Sequence, residues 1–422
     1  ANASEQLNNV TDRVDSIEES LDGFEAGQFS SGVTTLNGKT HFVIGGYEKD
    51  GGKDQDDGAI TFNYSTQINL NSSFFGDDLL YTRIKTGNFN NSAFAHKTYG
   101  NYLSATNNNA DVLKIDKIWY QFPIGDSVTA WVGPRVENYY MLASSPSIYK
   151  PVLKQFALGG NAGAYAASTD GGFGIAWTQQ VEDGLDARWA ISTNYVSKGA
   201  TKSADDGGGI FAEDTQSKWL TKLEYGSPRW QVSFAVAKEQ CNNTDVDLDG
   251  RGDFDSCKAW QAYYATEKGA NAGTGDAMSY SARAYWRPDN FDHRGSQSKV
   301  PFPFSFTAVQ VGFDIRNIDD DNNDGDIEQT ASWMTGLMWS DVVVNGNRLG
   351  IAIGQRAHAT EIHDEDGSND DDAKDNLVWE AYYDIQVDDR ITVTPAIFGG
   401  RDTFDGDDDD TFGGLVKTTF KF

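Results

Sequence analysis

Residues 377–387 read LVWEAYYDIQV. Leu377, Trp379, Ala381, Tyr383, Ile385 and Val387 share one face, while Glu380, Tyr382, Asp384 and Gln386 share the other. A side-chain period of two belongs to a β-strand whose two faces meet different surroundings. The same alternation governs 347–359, NRLGIAIGQRAHA. There Leu349, Ile351 and Ile353 oppose Arg348, Gly350, Ala352 and Gly354, and Arg356 and His358 follow in the polar register. In 306–316, Val309, Val311, Phe313 and Ile315 oppose Gln310, Gly312, Asp314 and Arg316. Each run lasts about ten residues, the length of a tilted strand that crosses a bilayer. The apolar face then meets lipid, and the polar face meets a water-filled interior.

The connections alternate too. Tight turns stand at 123–127, 181–184, 226–229, 342–346 and 388–390, with long acidic loops between them. Short links on one side and long polar ones on the other are the organisation of an outer-membrane barrel. Strand starts fall near residues 39, 59, 78, 113, 128, 172, 185, 217, 230, 277, 304, 330, 347, 376, 391 and 412. The expected fold is therefore all-β, a 16-stranded antiparallel transmembrane barrel with both termini on the short-turn side. Two apolar stretches, 161–168 and 258–268, are assigned to loops; if one of them spans, eighteen strands is the alternative. The last strand ends in Phe422, the kind of ending that outer-membrane barrel assembly reads.

Composition agrees. The chain has 422 residues, 63 acids against 34 Lys and Arg, and a net charge of −29. Six Asp/Gly/Asn-rich segments, 50–57, 199–216, 241–257, 319–328, 361–375 and 402–410, hold 33 of the acids and only 4 of the bases. That difference equals the whole excess, so the rest of the chain is balanced. No run approaches the roughly 18 apolar residues of a spanning helix. With 24 Phe, 18 Tyr and 11 Trp the chain is too aromatic for disorder. Nucleic acid is a poor partner for so negative a surface. The opening ANASEQLNN has neither a basic nor an apolar leader region, as in a mature form or a fragment.

Near the N-terminus the period changes. Leu7, Val10, Val14, Ile17, Leu21 and Phe24 are spaced 3-4-3-4-3, a heptad seam. Such a seam predicts a parallel coiled coil, with an amphipathic helix packed on its own domain as the other reading. Gly23 and Gly27 punctuate its exit. The domains expected are a periplasmic coiled-coil segment, 1–27, and a barrel, 28–422. A heptad segment running into GQFSSGVTTLNGKTHFVIGGY (27–47) resembles the cyanobacterial outer-membrane porins. In that family an SLH domain and a coiled-coil spacer precede a barrel similar to the OprB-type carbohydrate-selective porins. The present sequence begins at the spacer, without the SLH domain. The hairpins GGFGIAWTQQVEDGLDARWAISTNYVS and KWLTKLEYGSPRWQVSFAVAKE are similar to the family's repeated units. The resemblance implies a homotrimer in a Gram-negative outer membrane, among lipopolysaccharide, passing ions and small hydrophilic solutes.

Period two decides which side chains reach the lumen. If Leu349, Ile351 and Ile353 face lipid, Arg348 and Arg356 face inward, and the same register points Arg83, Arg135, Arg188, Arg283, Arg287 and Arg316 inward. Each lines the pore or pairs with a luminal acid and braces the wall. The connection 136–171 is too apolar for an exposed loop, and by resemblance it folds inward, bringing Lys150 and Lys154 to the constriction. No nucleophile, base or phosphate-binding spacing marks an enzyme.

Asp245, Asp247, Asp249, Asp253 and Asp255 alternate around Gly250, a pattern that wraps a hard cation in carboxylates, flanked by Cys241 and Cys257. It resembles the calcium repeats of thrombospondin-type proteins, with a disulfide closing the loop. A weaker candidate is Asp320, Asn322, Asp324, Asp326 and Glu328. Acidic loops of this kind also suit a calcium-dependent secreted β-protein, an adhesin or lectin. If the 241–257 loop binds calcium, calorimetry shows a calcium heat that Asp247→Ala with Asp249→Ala removes; no such heat in the intact chain refutes the site.

Overall fold

A strand in hydrocarbon finds hydrogen-bond partners only in neighbouring strands, so a lipid-facing sheet has to close on itself. The computed structural model has that closure. It describes residues 33–49, 59–92, 94–95, 101–160, 163–203, 208–212, 215–240, 276–288, 307–319, 327–362, 377–401 and 410–422. The strands are β1 (Thr34–Lys49), β2 (Thr61–Ser72), β3 (Leu79–Gly87), β4 (Lys114–Ile124), β5 (Val128–Glu137), β6 (Thr169–Thr178), β7 (Arg188–Ser197) and β8 (Ser217–Ser227). They continue as β9 (Trp230–Gln240), β10 (Asp276–Trp286), β11 (Ala308–Asp319), β12 (Ile327–Ser340), β13 (Arg348–Ile362), β14 (Leu377–Gln386), β15 (Ile391–Gly400) and β16 (Thr411–Lys421).

Each strand pairs antiparallel with the next, and β1 closes on β16, from Lys39 opposite Lys421 to Lys49 opposite Thr411. The C-terminal residue seals the seam. Gly38 N donates to the Phe422 carbonyl at 2.7 Å, and Phe422 N returns a bond to Gly38 O at 3.1 Å. A Cβ at position 38 would stand 2.7 Å from the backbone carbonyl of Gln67, as well as against the Phe422 ring, so the closure needs a glycine there.

The period-two reading survives in three dimensions. Ile351 and Ile353 are exposed on the outside of β13, whereas Gly350, Ala352 and Gly354 are buried inside. Val311 and Phe313 point out from β11, and Gln310, Asp314 and Arg316 are buried within. A charge in place of a lipid-facing isoleucine near the midplane would cost about 2–4 kcal/mol, which is why the pattern is strict.

Sixteen strands complete the ring, so the eighteen-strand alternative falls. Within the leftover stretch 161–168, Gly163–Tyr165 form one 3-10 turn inside the loop after β5. The other stretch, 258–268, lies outside the described residues. So do the heptad segment, Cys241, Cys257, Asp245, Asp247, Asp249, Asp253, Asp255, Asp320, Asn322, Asp324 and Asp326; Glu328 stands in β12. Short links join β4 to β5, β8 to β9, β12 to β13 and β14 to β15. The exception on that side is the β10–β11 connection, which takes residues 287–307.

Candidate functional site

The loop after β5, residues 138–168, carries apolar side chains that need a surface to cover them. Met141, Tyr149, Val152, Leu153, Phe156 and Tyr165 are each at most 2% exposed. Tyr149, Val152, Leu153 and Phe156 pack against Met334 and Met338 of β12, Ala352 of β13 and Tyr382 of β14, all on the inner wall. The loop therefore folds into the barrel.

Its backbone must then find partners away from bulk water. The Glu380 carboxylate, fully buried on β14, accepts from Tyr149 Oη (2.9 Å), Val152 N (3.2 Å) and Leu153 N (2.6 Å). Burial first, and then Glu380 itself, push the Tyr149 hydroxyl well above its ordinary value, so it remains a donor. On the far side Lys222 Nζ donates to Ser144 O (2.9 Å), and Lys218 Nζ to Gly163 O (3.1 Å) and Ala166 O (2.9 Å). Arg283 donates to Leu158 O (2.9 Å) and Gly160 O (3.0 Å). On β11 a Cβ at Gly312 would lie 1.6 Å from Gly159 O, so loop backbone rests directly on the strand.

These contacts decide what the expected arginines do. Arg283 and Arg316 point inward but are covered, with side chains 1% and 3% exposed, and pair with Asp314 (2.8 Å) and Glu239 (2.7 Å). Glu239 also holds Lys218 at 2.8 Å. Arg283 braces the loop, Arg316 braces the wall, and neither faces open water. Arg356 is buried as well. Arg348 is half-buried and donates through Nε to Asp384 at 3.0 Å. Arg188 begins β7 and Arg287 follows β10 on the short-turn rim, the latter over the Tyr285 ring at 5.8 Å. For Arg135, parity does not carry through. The pairing of β5 is irregular on both sides, and Arg135 Nε donates to Asp116 O at 3.1 Å, with Nη1 3.8 Å from Asp170. Arg83 donates to Asp116 (2.6 Å) and to Tyr140 Oη (2.8 Å).

The opposite wall differs. On the inward positions of β16, β1, β2 and β3 stand Lys417, Lys421, Lys39, His41, Arg83 and Lys85, with no Asp or Glu among them. The register sets Lys421 beside Lys39, Lys39 beside Gln67, and Gln67 beside Lys85. Lys39 lies in the field of Lys417, Arg83 and Lys150, and Lys85 in that of the Asp116 carboxylate first and then of Arg83, Lys154 and Lys117. The two loop lysines thus lie within electrostatic range of this wall, Lys150 of Lys39 and Lys154 of Lys85. Enclosure in the barrel, and then the charges of Arg348 and Arg287, hold the Lys150 ammonium below its ordinary value.

A second inward segment was not anticipated. Between β3 and β4, Phe89, Phe94 and Leu103 are buried, and Leu103 bridges Leu153 of the first loop. Lys154 N donates to Tyr102 O at 2.8 Å, joining the two segments. The available signal was an acid-free run from Asn88 to Ala110 in a chain whose other long loops are acidic. The lysines of β1, β3 and β16 were also legible by parity, since each sits in the polar register. Removing the Glu380 anchor should loosen the loop without opening the barrel. In Glu380→Ala three donors lose their acceptor, at about 1–3 kcal/mol for each unsatisfied group. Single-channel recordings should then show larger or noisier conductance, with heat-modifiable migration kept; an unchanged quiet channel contradicts the anchor.

A family model described as carbohydrate-selective porin, OprB family, matches residues 7–422. Two cyanobacterial relatives are similar over most of the chain. The uncharacterized protein sll0772 of Synechocystis sp. is 26% identical, covering 93% of this chain and 69% of its own length. The uncharacterized protein alr4550 of Nostoc sp. is 24% identical, covering 99% and 70%. Among solved structures, the high-pH form of Pseudomonas putida OprB aligns with a TM-score of 0.55 at 11% identity, over 92% of this chain and 94% of that one. Salmonella typhi OmpF, in its complex with daunomycin, aligns at 0.53 and 12% identity, over 92% and 97%. At these identities the likeness is one of fold. The secreted adhesin or lectin reading finds no support in either set. A closed sixteen-stranded barrel with an inward loop, matched by the family model over nearly its whole length, belongs to the OprB family of carbohydrate-selective outer-membrane porins.

Proposed function

We propose that the protein is a passive diffusion channel for inorganic ions and small hydrophilic solutes whose neck favours anions. The carrying observation is the set of amines on β16, β1 and β3. Among the described residues no carboxylate ion-pairs with Lys39, Lys85, Lys150 or Lys417, and all four meet the lumen at least partly exposed. Fixed positive charge beside a narrow aqueous path lowers the barrier for anions and raises it for cations. The acid-rich loops would draw cations to the mouth. Screening over about 8–10 Å confines that field to the entrance, leaving the neck to its own charges.

The setting proposed is a Gram-negative, cyanobacterial outer membrane. The acidic runs would meet lipopolysaccharide phosphates through bridging divalent cations, and structural calcium in the 241–257 loop fits the same reading. A homotrimer joined below the barrel by the 7–24 seam accounts for the heptads; light scattering of the detergent-solubilised protein giving a monomer or dimer mass removes it.

Reversal potential in a salt gradient tests the function. The intact channel should prefer chloride to potassium, and Lys39→Glu with Lys85→Glu should move the potential toward cation preference. The anion preference should also fade as pH rises, beginning below the ordinary lysine range, because Lys150 loses its proton early. A cation-preferring intact channel, or no channel at all, overturns the proposal.

A further inference from the structure

We infer that the neck contains a subsite for anionic monosaccharides, that is, sugar rings bearing a phosphate or carboxylate. This rests on the reading of the chain as an anion-favouring channel. Lysines alone would suit any small oxyanion. What stands beside them suits a hydroxylated ring.

The amines occupy one end of the strip. Lys39 and Lys85 flank Gln67 in register, about 10 Å apart across two strand spacings. Next along the wall come amides. Asn37, Gln67, Asn69 and Asn71 all stand on inward positions of β1 and β2. Asn69 Nδ2 donates to Asn37 Oδ1 at 2.7 Å, and Tyr81 Oη donates to Asn69 Oδ1 at 2.8 Å, so the middle of the row is ordered in advance. An amide offers donors and an acceptor together, which matches vicinal hydroxyls and exceeds what inorganic phosphate needs.

Aromatic rings close the other end. Tyr81 stacks on Trp119 with centroids 5.0 Å apart, and Tyr140 of the inward loop lies 6.4 Å from Trp119 and 6.5 Å from Tyr81. Trp119 is buried, while Tyr81 and Tyr140 are only partly buried on inward-facing positions and keep some surface uncovered. Arg83 sits between the two chemistries. Its guanidinium is held by Asp116 and lies over the Tyr140 ring at 5.8 Å, which fixes that ring. Tyr81, Arg83 and Lys85 are successive inward residues of β3, about 7 Å apart along the strand. A pyranose laid with its C–H face on the tyrosines would put a terminal anionic group within reach of the lysines.

Ion current through single channels in planar bilayers tests this with three probes at matched pH and ionic strength: glucose, inorganic phosphate and glucose 6-phosphate. Glucose 6-phosphate should interrupt the current at a concentration about fivefold below inorganic phosphate, the increment that one ring contact supplies. Glucose should need far more than either. Tyr81→Ala should bring glucose 6-phosphate to the phosphate value and leave phosphate unchanged, and Lys39→Gln should weaken both anions together. If Tyr81→Ala yields no channels, Tyr140→Leu is read in its place. Equal block by glucose 6-phosphate and phosphate in an anion-preferring channel overturns the subsite and leaves the channel reading standing. A cation-preferring reversal potential overturns the channel reading itself.

Discussion

Hydrocarbon offers no hydrogen bonds, and every feature of this protein follows from satisfying backbone groups where water is absent. For the strands, the solution is the unbroken ladder that returns from β16 to β1 and is sealed by Gly38 and Phe422. For the loop that enters the barrel, neighbouring strands are not available as partners. Its amides and carbonyls are met by side chains of the wall instead. Glu380 takes two amides and a hydroxyl, while Lys218, Lys222 and Arg283 take carbonyls. The buried charges of Lys218, Lys222, Arg283 and Glu380 are thus explained by the loop they hold. Each is also costly to disturb, since removing one partner of a buried pair strands the other, typically at about 3–5 kcal/mol.

The seating of the loop breaks the symmetry of the barrel. It covers the inner faces of β7 to β14 and leaves the lower part of β16, β1, β2 and β3 to the lumen. Charges on the covered side are neutralised in pairs such as Lys218–Glu239 and Arg283–Asp314. On the bare side Arg83 is held by Asp116, while Lys39, Lys85 and Lys417 make no ion pair among the described residues. A barrel whose transmembrane wall is nearly balanced overall therefore presents a one-signed surface to a passing solute. The segment between β3 and β4 sharpens the division, because it caps the upper part of the bare wall through Phe89 and Phe94 and then joins the loop at Leu103.

The wall and the loop also differ in how local their causes are. A strand's outward face is specified every second residue by the lipid it meets. Glycines such as Gly312 and Gly336 on the inner wall answer to something remote, the Gly159 carbonyl and the Tyr149 ring that lie on them. Their small size is a record of close approach and not of strand preference.

Period-two patterning and turn spacing by themselves determined the fold class and the sixteen strands, because lipid acts on each strand residue by residue; the inward folding of residues 136–171 was legible only as too apolar a loop and through the family resemblance. The polar register of Arg283, Arg316, Lys39 and Lys85 was equally legible there. What only the tertiary structure decided is which of those inward charges meet the solute. That outcome depends on contacts such as Leu153 with Glu380, 227 residues apart in the chain, and on which half of the wall the loop covers. Alternation says that a side chain points inward; it cannot say what already lies there. Where pairing slips, as around Arg135, even the direction is lost, because one extra residue in a strand reverses every position after it.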